Sequence, residues 1–163
     1  MILYHGTNVA FDSIDLNKSK PNKDFGKGFY LSADYEQAMA MAETKVDQLE
    51  FGSPIVLAFE IDESQMEGLN ILRFNEYSEE WATFILLNRR NESNQPAHNY
   101  DIVFGPIAND RVGVQLIRDT KYRPAHLGKE SATHERHNFP VFLRYRTGHK
   151  TLEAAMNIQE HMK

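Results

Sequence analysis

His5 stands at the end of a short apolar run, Ile2-Leu3-Tyr4, and is followed at once by Gly6, Thr7 and Asn8. An imidazole there is either a structural residue closing a strand or a contact for a ligand. A second cluster follows in Asp24-Phe25-Gly26-Lys27-Gly28-Phe29-Tyr30-Leu31-Ser32. Two glycines bracket a lysine, so the backbone can turn tightly or left-handedly and something can approach it closely. The aromatic pair comes next. Side chains alternate along an extended segment, so one ring can face a core while its neighbour faces a cleft. That makes a binding platform with a polar floor. The plainer alternatives are a hairpin turn and a core tyrosine. The stretch is not a phosphate-cradling Walker loop, because Gly-x4-Gly-Lys-Ser/Thr is missing. His126, His134 and His137 suggest zinc, but there is no His-Glu-x-x-His pattern and no cysteine, so no metal site is expected.

These residues need elements to hold them. Ile2–Tyr4 reads as a strand broken by the glycine and small polar residues after His5. Phe11 and Ile14 have the spacing of one helical turn. Residues 18–24, with three lysines and Pro21, read as an exposed loop, and Phe29–Ser32 as a strand. A helix is expected from Ala33 to Glu43, with Asp34 in its cap region and Ala38, Met41 and Ala42 apolar. Ile55–Ile61 is a strong strand and Leu69–Phe74 a shorter one. Ser78 caps a helix whose first turn is acidic and along which Trp81, Phe84, Ile85 and Leu87/Asn88 follow with helical spacing; Trp81 reads as core. Tyr100–Phe104 is a strand stopped by Gly105-Pro106. Farther on, Val112–Ile117 gives a weak signal. Residues 121–138 read as a loop, Phe139–Tyr145 as a strand and Thr151–Met162 as an amphipathic helix. No repeat or linker divides the chain. One α+β domain over residues 1–163 is the economical reading.

Composition sets outer limits. A chain of 163 residues with 41% hydrophobic and 25% charged residues can bury a real core. Without cysteine, disulfides, thiolate metal sites and a cysteine nucleophile are excluded. No apolar run approaches a membrane span, and the first residues lack a signal-peptide pattern. A cytoplasmic protein of bacterial or phage origin with no membrane partner is expected. Charge is uneven. Residues 1–117 carry nine Lys and Arg against eighteen Asp and Glu, whereas residues 118–163 carry nine against five, with five of the seven histidines. A basic tail on an acidic body either attracts an anionic partner such as nucleic acid or simply balances the body.

Leu3-Tyr4-His5-Gly6-Thr7 followed by Phe25-Gly26-Lys27-Gly28-Phe29-Tyr30-Leu31-Ser32 resembles the first two signature motifs of the ADP-ribosyltransferase superfamily, in the branch of diphtheria toxin and the poly(ADP-ribose) polymerases. The runs Glu80-Trp81, Asn88-Arg89 and Tyr100–Asp110 resemble an uncharacterised bacterial family assigned to that superfamily, with members in toxin–antitoxin-like gene pairs. The resemblance covers roughly residues 1–111. It implies a split β-sheet with flanking helices and a cleft for NAD as co-substrate. The bond between nicotinamide and ribose breaks through an oxocarbenium-like state, and ADP-ribose passes to a protein or nucleic-acid acceptor. His5 then meets a ribose hydroxyl, the Gly6 backbone pairs with the carboxamide, and Tyr30 stacks on the nicotinamide. Thr7 and Ser32 add hydroxyl contacts, and Lys27, in its turn with Gly28, meets the pyrophosphate. Holding the dinucleotide this way is catalysis by positioning.

The superfamily's third element is an acid, or glutamine, on a late strand, where a charge-stabilising group is worth on the order of 3 kcal/mol. Phe139–Tyr145 has neither. Glu80 ranks first as a substitute, ahead of Asp101, Asp110 and Glu130; its plain role is to complement a helix N-terminus. The resemblance therefore implies an NAD-dependent transferase, a toxin with a small antitoxin partner. The alternative is an inactive nucleotide- or partner-binding domain of the same fold. A weaker option is a phosphotransferase-like relative acting on RNA ends.

Overall fold

The computed structural model describes residues 1–93, 95–108 and 156–161, the last as backbone. In chain order the elements are β1 (Ile2–Thr7), α1 (Tyr35–Leu49), β2 (Ile55–Ile61), β3 (Ile71–Arg73), α2 (Glu79–Arg89), β4 (Ile102–Phe104) and β5 (Met156–His161). Short 3-10 turns lie at Leu16–Lys18 and Glu63–Met66. Among the described residues the strands make two small sheets: antiparallel β1-β2-β5, and parallel β3-β4. The class is mixed α and β, as the sequence implied.

Capping fixes both helices. Asp34 accepts from the N–H groups of Glu36 and Gln37, and Ser78 accepts from that of Trp81, so the first donors of α1 and α2 are satisfied. Glu79 and Glu80 fill the first turn of α2, with Arg89 in its last, matching the helix dipole at both ends. The first helix runs to Leu49, well past the expected Glu43. It ends only where Glu50 turns left-handed at φ 50° and returns its N–H to Val46.

Register assigns the faces of the main sheet. Tyr4 lies opposite Ala58 and Gly6 opposite Val56, so these four share one face; Leu3, Phe59, His5 and Leu57 share the other. The first face takes α1, with Tyr35 edge-on to Tyr4 and the backbone of Ala38 and Ala42 pressed onto Gly6. The second face joins Phe29, Leu31, Ile61, Met66, Ile102 and Phe104 in a buried cluster. A second cluster gathers Phe25, Trp81, Ala82, Ile85, Val103 and Ala108. The two meet along β4, whose alternate residues enter opposite clusters. Fully burying side chains of this size is worth roughly 1.5–3 kcal/mol each. Trp81 is wholly buried and donates its indole N–H to the Pro106 carbonyl at 2.7 Å, a core role as expected.

Three expected elements come out differently. Phe29–Ser32 is not a strand; only Ser32 bridges to β1, through a reciprocal pair of bonds with Tyr4 at 2.7 and 2.8 Å. Phe11 and Ile14 form no helical turn and instead pack against the first cluster. The closing helix expected over Thr151–Met162 is overturned by β5, which pairs along β2 from Ile61–Met156 to Val56–His161. Unpaired N–H and C=O groups along β2 favour a third strand, and pairing of this kind overrides local helix preference. The segments 112–117, 121–138 and 139–145 lie outside the described residues.

The packing at Gly6 can be tested directly. A Cβ there would stand 1.9 Å from the Ala38 carbonyl oxygen and 2.8 Å from the Ala42 nitrogen. Gly6→Ala is expected to cost about 3 kcal/mol or more in urea unfolding, because backbone on both sides must move. Gly68→Ala, at φ +84° with open space around it, should cost only about 1–2 kcal/mol for the left-handed backbone.

Candidate functional site

The hydrogen-bond ladder sets the first part of the site. Met1 accepts from Ile61, and Tyr4 spends both of its backbone groups on Ser32, so the odd-numbered residues of β1 bond to β2 and the even-numbered ones face outward. Beyond the single Tyr4–Ser32 bridge, the peptide groups of Gly6 therefore point away from the sheet. The Gly6 carbonyl accepts from the Lys45 ammonium at 2.7 Å. The Gly6 N–H has no partner among the described residues.

His5 lies beside this edge. Its ring stacks on Phe29 with centroids 4.4 Å apart and meets Phe11 edge-on. Nδ1 is 2.7 Å from the Tyr30 carbonyl oxygen, which only accepts, so the ring proton sits on Nδ1. Nε2 then presents its lone pair to Lys45 Nζ at 3.4 Å. Burial, and after it the Lys45 charge, lowers the His5 pKa from 6.5 to about 3; the bond to Tyr30 opposes this, and Lys23 adds a smaller push. His5 is therefore neutral, a fixed acceptor rather than a general acid at neutral pH.

Tyr30 leaves the 29–31 segment on the side opposite Phe29. Its hydroxyl donates to the Gly26 carbonyl at 2.6 Å and accepts from the Phe25 N–H at 3.1 Å, so the phenol staples the glycine turn. The ring lies parallel to Phe25, with Lys23 Nζ 4.9 Å from its centroid. The His5 ring, stacked on Phe29, and the Tyr30 ring, packed with Phe25, thus lie on opposite sides of the 29–31 segment and are joined through the Tyr30 carbonyl, with Lys45 beside the first and Lys23 beside the second. Burial and then Lys23 lower the Lys45 pKa to about 8, and burial followed by Lys20 lowers that of Lys23. No carboxylate pairs with Lys23, Lys45 or His5 among the described residues.

The turn carrying Tyr30 is braced from α2 and the segment after β4. Gly26 takes φ +81°, and a Cβ on it would stand 2.8 Å from Asn88 Oδ1. Asp24 accepts from Arg89 Nε at 2.6 Å and from the Ala108 N–H at 2.8 Å, while Arg89 also reaches the Ala108 carbonyl. His98 Nε2 lies 3.0 Å from the Phe25 carbonyl. The Asn88-Arg89 and 105–108 runs thus hold the glycine turn in place.

The other expected site residues fall as follows. Thr7 is buried and donates to the Val9 carbonyl; buried Ser32 donates to Gln37 and accepts from the Asp34 N–H. Gly28 is buried with its N–H on Ser19, and Lys27 is half-buried beside it. The ammonium brought to His5 belongs to Lys45, not Lys27. Glu80 is exposed on α2 and lines a shallow surface depression of about 460 Å³ with Glu79, Thr83, Phe84 and Leu87. Asp101 accepts from the Asn70 N–H, tying the start of β4 to that of β3. Asp110, Glu130, His126, His134 and His137 lie outside the described residues.

Sequence reasoning passed over Lys23 and Lys45. Lys45 carried a signal: with Ala38 and Ala42 it lies at i, i+4 and i+7, on the stripe facing β1. A lysine on the packed stripe of a helix asks for a partner. Lys23, in a loop with two other lysines, carried none.

A family model described as Protein of unknown function (DUF3990) matches residues 1–145. The chain belongs to that family. Comparisons with curated proteins and with solved structures give no match. The family match takes in every residue placed at the site above, and no helix of the described residues is long and apolar enough to cross a membrane.

A neutral, desolvated His5 makes stability depend on acid. Its folded pKa lies below its unfolded one, so the stabilisation is whole above pH 6.5 and is lost as pH falls towards 3. The loss attributable to His5 should reach about 3–5 kcal/mol at the acid end. Urea unfolding between pH 7 and 5, before most carboxylates titrate, should show a downward slope that His5→Leu flattens.

Proposed function

We propose that this chain is an NAD-dependent ADP-ribosyltransferase that passes ADP-ribose to a protein or nucleic-acid acceptor. The two-sheet α+β architecture accommodates a split-sheet fold of that kind. The observation that carries the reading is the outward-facing Gly6 peptide beside a neutral His5. A carboxamide presents an N–H donor and a C=O acceptor on one edge, and the Gly6 C=O and N–H are their complements. His5 Nε2, held as an acceptor, suits a ribose hydroxyl. The ring of Tyr30 is fixed by the turn it staples, and a rigid aromatic is a low-entropy platform for a flat ligand. In this reading NAD supplies the ADP-ribosyl group, and the chain's residues orient it and exclude alternative poses.

A second reading, an inactive binding domain of the same fold, is favoured by one observation. Glu80, the leading candidate for the charge-stabilising acid, lines a depression shared with Thr83 and Leu87, while His5 pairs with lysine. A small antitoxin-like partner and a cytoplasmic toxin role belong with the first reading and rest on the sequence resemblance.

Incubation with NAD labelled in its adenylate half separates the two. The transferase reading expects nicotinamide release and a labelled acceptor, with both reduced at least a hundredfold in His5→Ala and in Tyr30→Ala. Glu80→Gln should lower the rate on the order of a hundredfold if Glu80 steadies the developing charge. Release that both site variants leave unchanged would remove the site, and binding of NAD without release would select the inactive reading.

A further inference from the structure

We propose that Lys23 and Lys45 form a clamp for the diphosphate of a nucleotide, and that Lys45 moves onto it from the acceptors it covers in the free chain. This deepens the reading above and rests on it for the identity of the ligand. The geometry runs as one chain of contacts. Lys45 Nζ is 2.7 Å from the Gly6 carbonyl oxygen and 3.4 Å from His5 Nε2. His5 Nδ1 is 2.7 Å from the Tyr30 carbonyl, and Lys23 Nζ stands 4.9 Å from the Tyr30 ring centroid. Two ammonium groups are therefore held around one histidine and one tyrosine, and among the described residues neither has a carboxylate partner. Lys45 is half-buried and Lys23, exposed, adds a like charge nearby, an arrangement that costs free energy. An anion of two or more charges offsets that cost, and a diphosphate offers a charged group to each ammonium. Burial first, and after it the charge of Lys23, lowers the Lys45 pKa to about 8, so Lys45 feels the second ammonium.

Lys45 has a second consequence. In the free chain its ammonium sits on the Gly6 carbonyl and faces His5 Nε2, two of the acceptors that the site offers. A diphosphate competes for that ammonium and so uncovers both acceptors for the donors of the same ligand. Affinity for the charged middle of a dinucleotide and for its ends is then coupled through one side chain. Lys27, on the glycine turn, is not required for this arrangement.

Isothermal titration of the whole chain with ADP-ribose, ADP, inorganic pyrophosphate and adenosine tests the proposal, with thermal unfolding confirming that each variant is folded. ADP-ribose and ADP should bind, and adenosine at least tenfold more weakly. Lys23→Gln and Lys45→Gln should each weaken ADP-ribose roughly tenfold or more, in line with the loss of one charge-assisted contact. Lys45→Arg should retain most of the affinity, and adenosine should be indifferent to all three. Equal ADP-ribose affinity in wild type and both glutamine variants would overturn the clamp, as would wild type that takes up none of the phosphate-bearing probes. Pyrophosphate bound as tightly as ADP would assign the site to free anions and overturn the nucleotide part. Lysine-dependent ADP-ribose binding without nicotinamide release from NAD upholds the clamp and removes the transferase reading. Nicotinamide release and ADP-ribose affinity that survive loss of both lysine charges do the reverse.

Discussion

The site depends on how closely α1 lies against β1 at Gly6. A methyl group at that position would fall within 1.9 Å of the Ala38 carbonyl oxygen, so only glycine lets the helix backbone rest on the strand. That depth brings Lys45, two turns after Ala38, level with the Gly6 carbonyl and the His5 ring. The sequence resemblance gave Gly6 a ligand-facing role. The structure adds a packing role for the missing side chain, while the peptide groups face the strand's open edge. The two do not compete, because the Cα hydrogens point across the sheet and the peptide groups lie in its plane.

Electrostatics then follow from burial. A histidine between a carbonyl and an ammonium cannot hold a second proton cheaply, so its tautomer is fixed without any carboxylate. The same half-dry surroundings leave Lys45 subject to the like charge of exposed Lys23. The charges that do pair are used elsewhere: Asp24 is committed to Arg89 and to the Ala108 N–H, and this bond set braces the glycine turn below Tyr30. Positive charge is thus concentrated at the open edge of β1, and the neutralised pair sits where rigidity is needed.

Much of this was legible in the residue order. Asp34 and Ser78 announced their helices because a short side-chain oxygen at that position satisfies donors the helix cannot. Ile55–Ile61 read as a strand because Ile55–Phe59 is a continuous apolar run, and both of its faces are buried over Val56–Phe59. Trp81 read as core from its helical spacing. Other features depend on contacts distant in sequence. Phe29–Ser32 has strand composition but finds only one bridging residue, Tyr4. The Met156–His161 segment has the composition of a helix end and is drawn into the sheet by the edge of β2. Lys45 meets His5 across 40 residues, and only its place on the packed stripe of α1 hinted at this. Glu80 ranked high on chemistry alone, since sequence does not show which way a helix face is turned.

The most direct measurement of the central claim follows the Gly6 amide and the His5 ring nitrogens by NMR during titration with NAD. Binding at the Gly6 peptide and His5 predicts that the Gly6 amide proton moves downfield and that His5 Nε2 shifts as a hydroxyl replaces the Lys45 ammonium, both with one saturation curve. Saturable shifts confined to Glu79, Glu80, Thr83 and Leu87, with Gly6 and His5 unmoved, would contradict it.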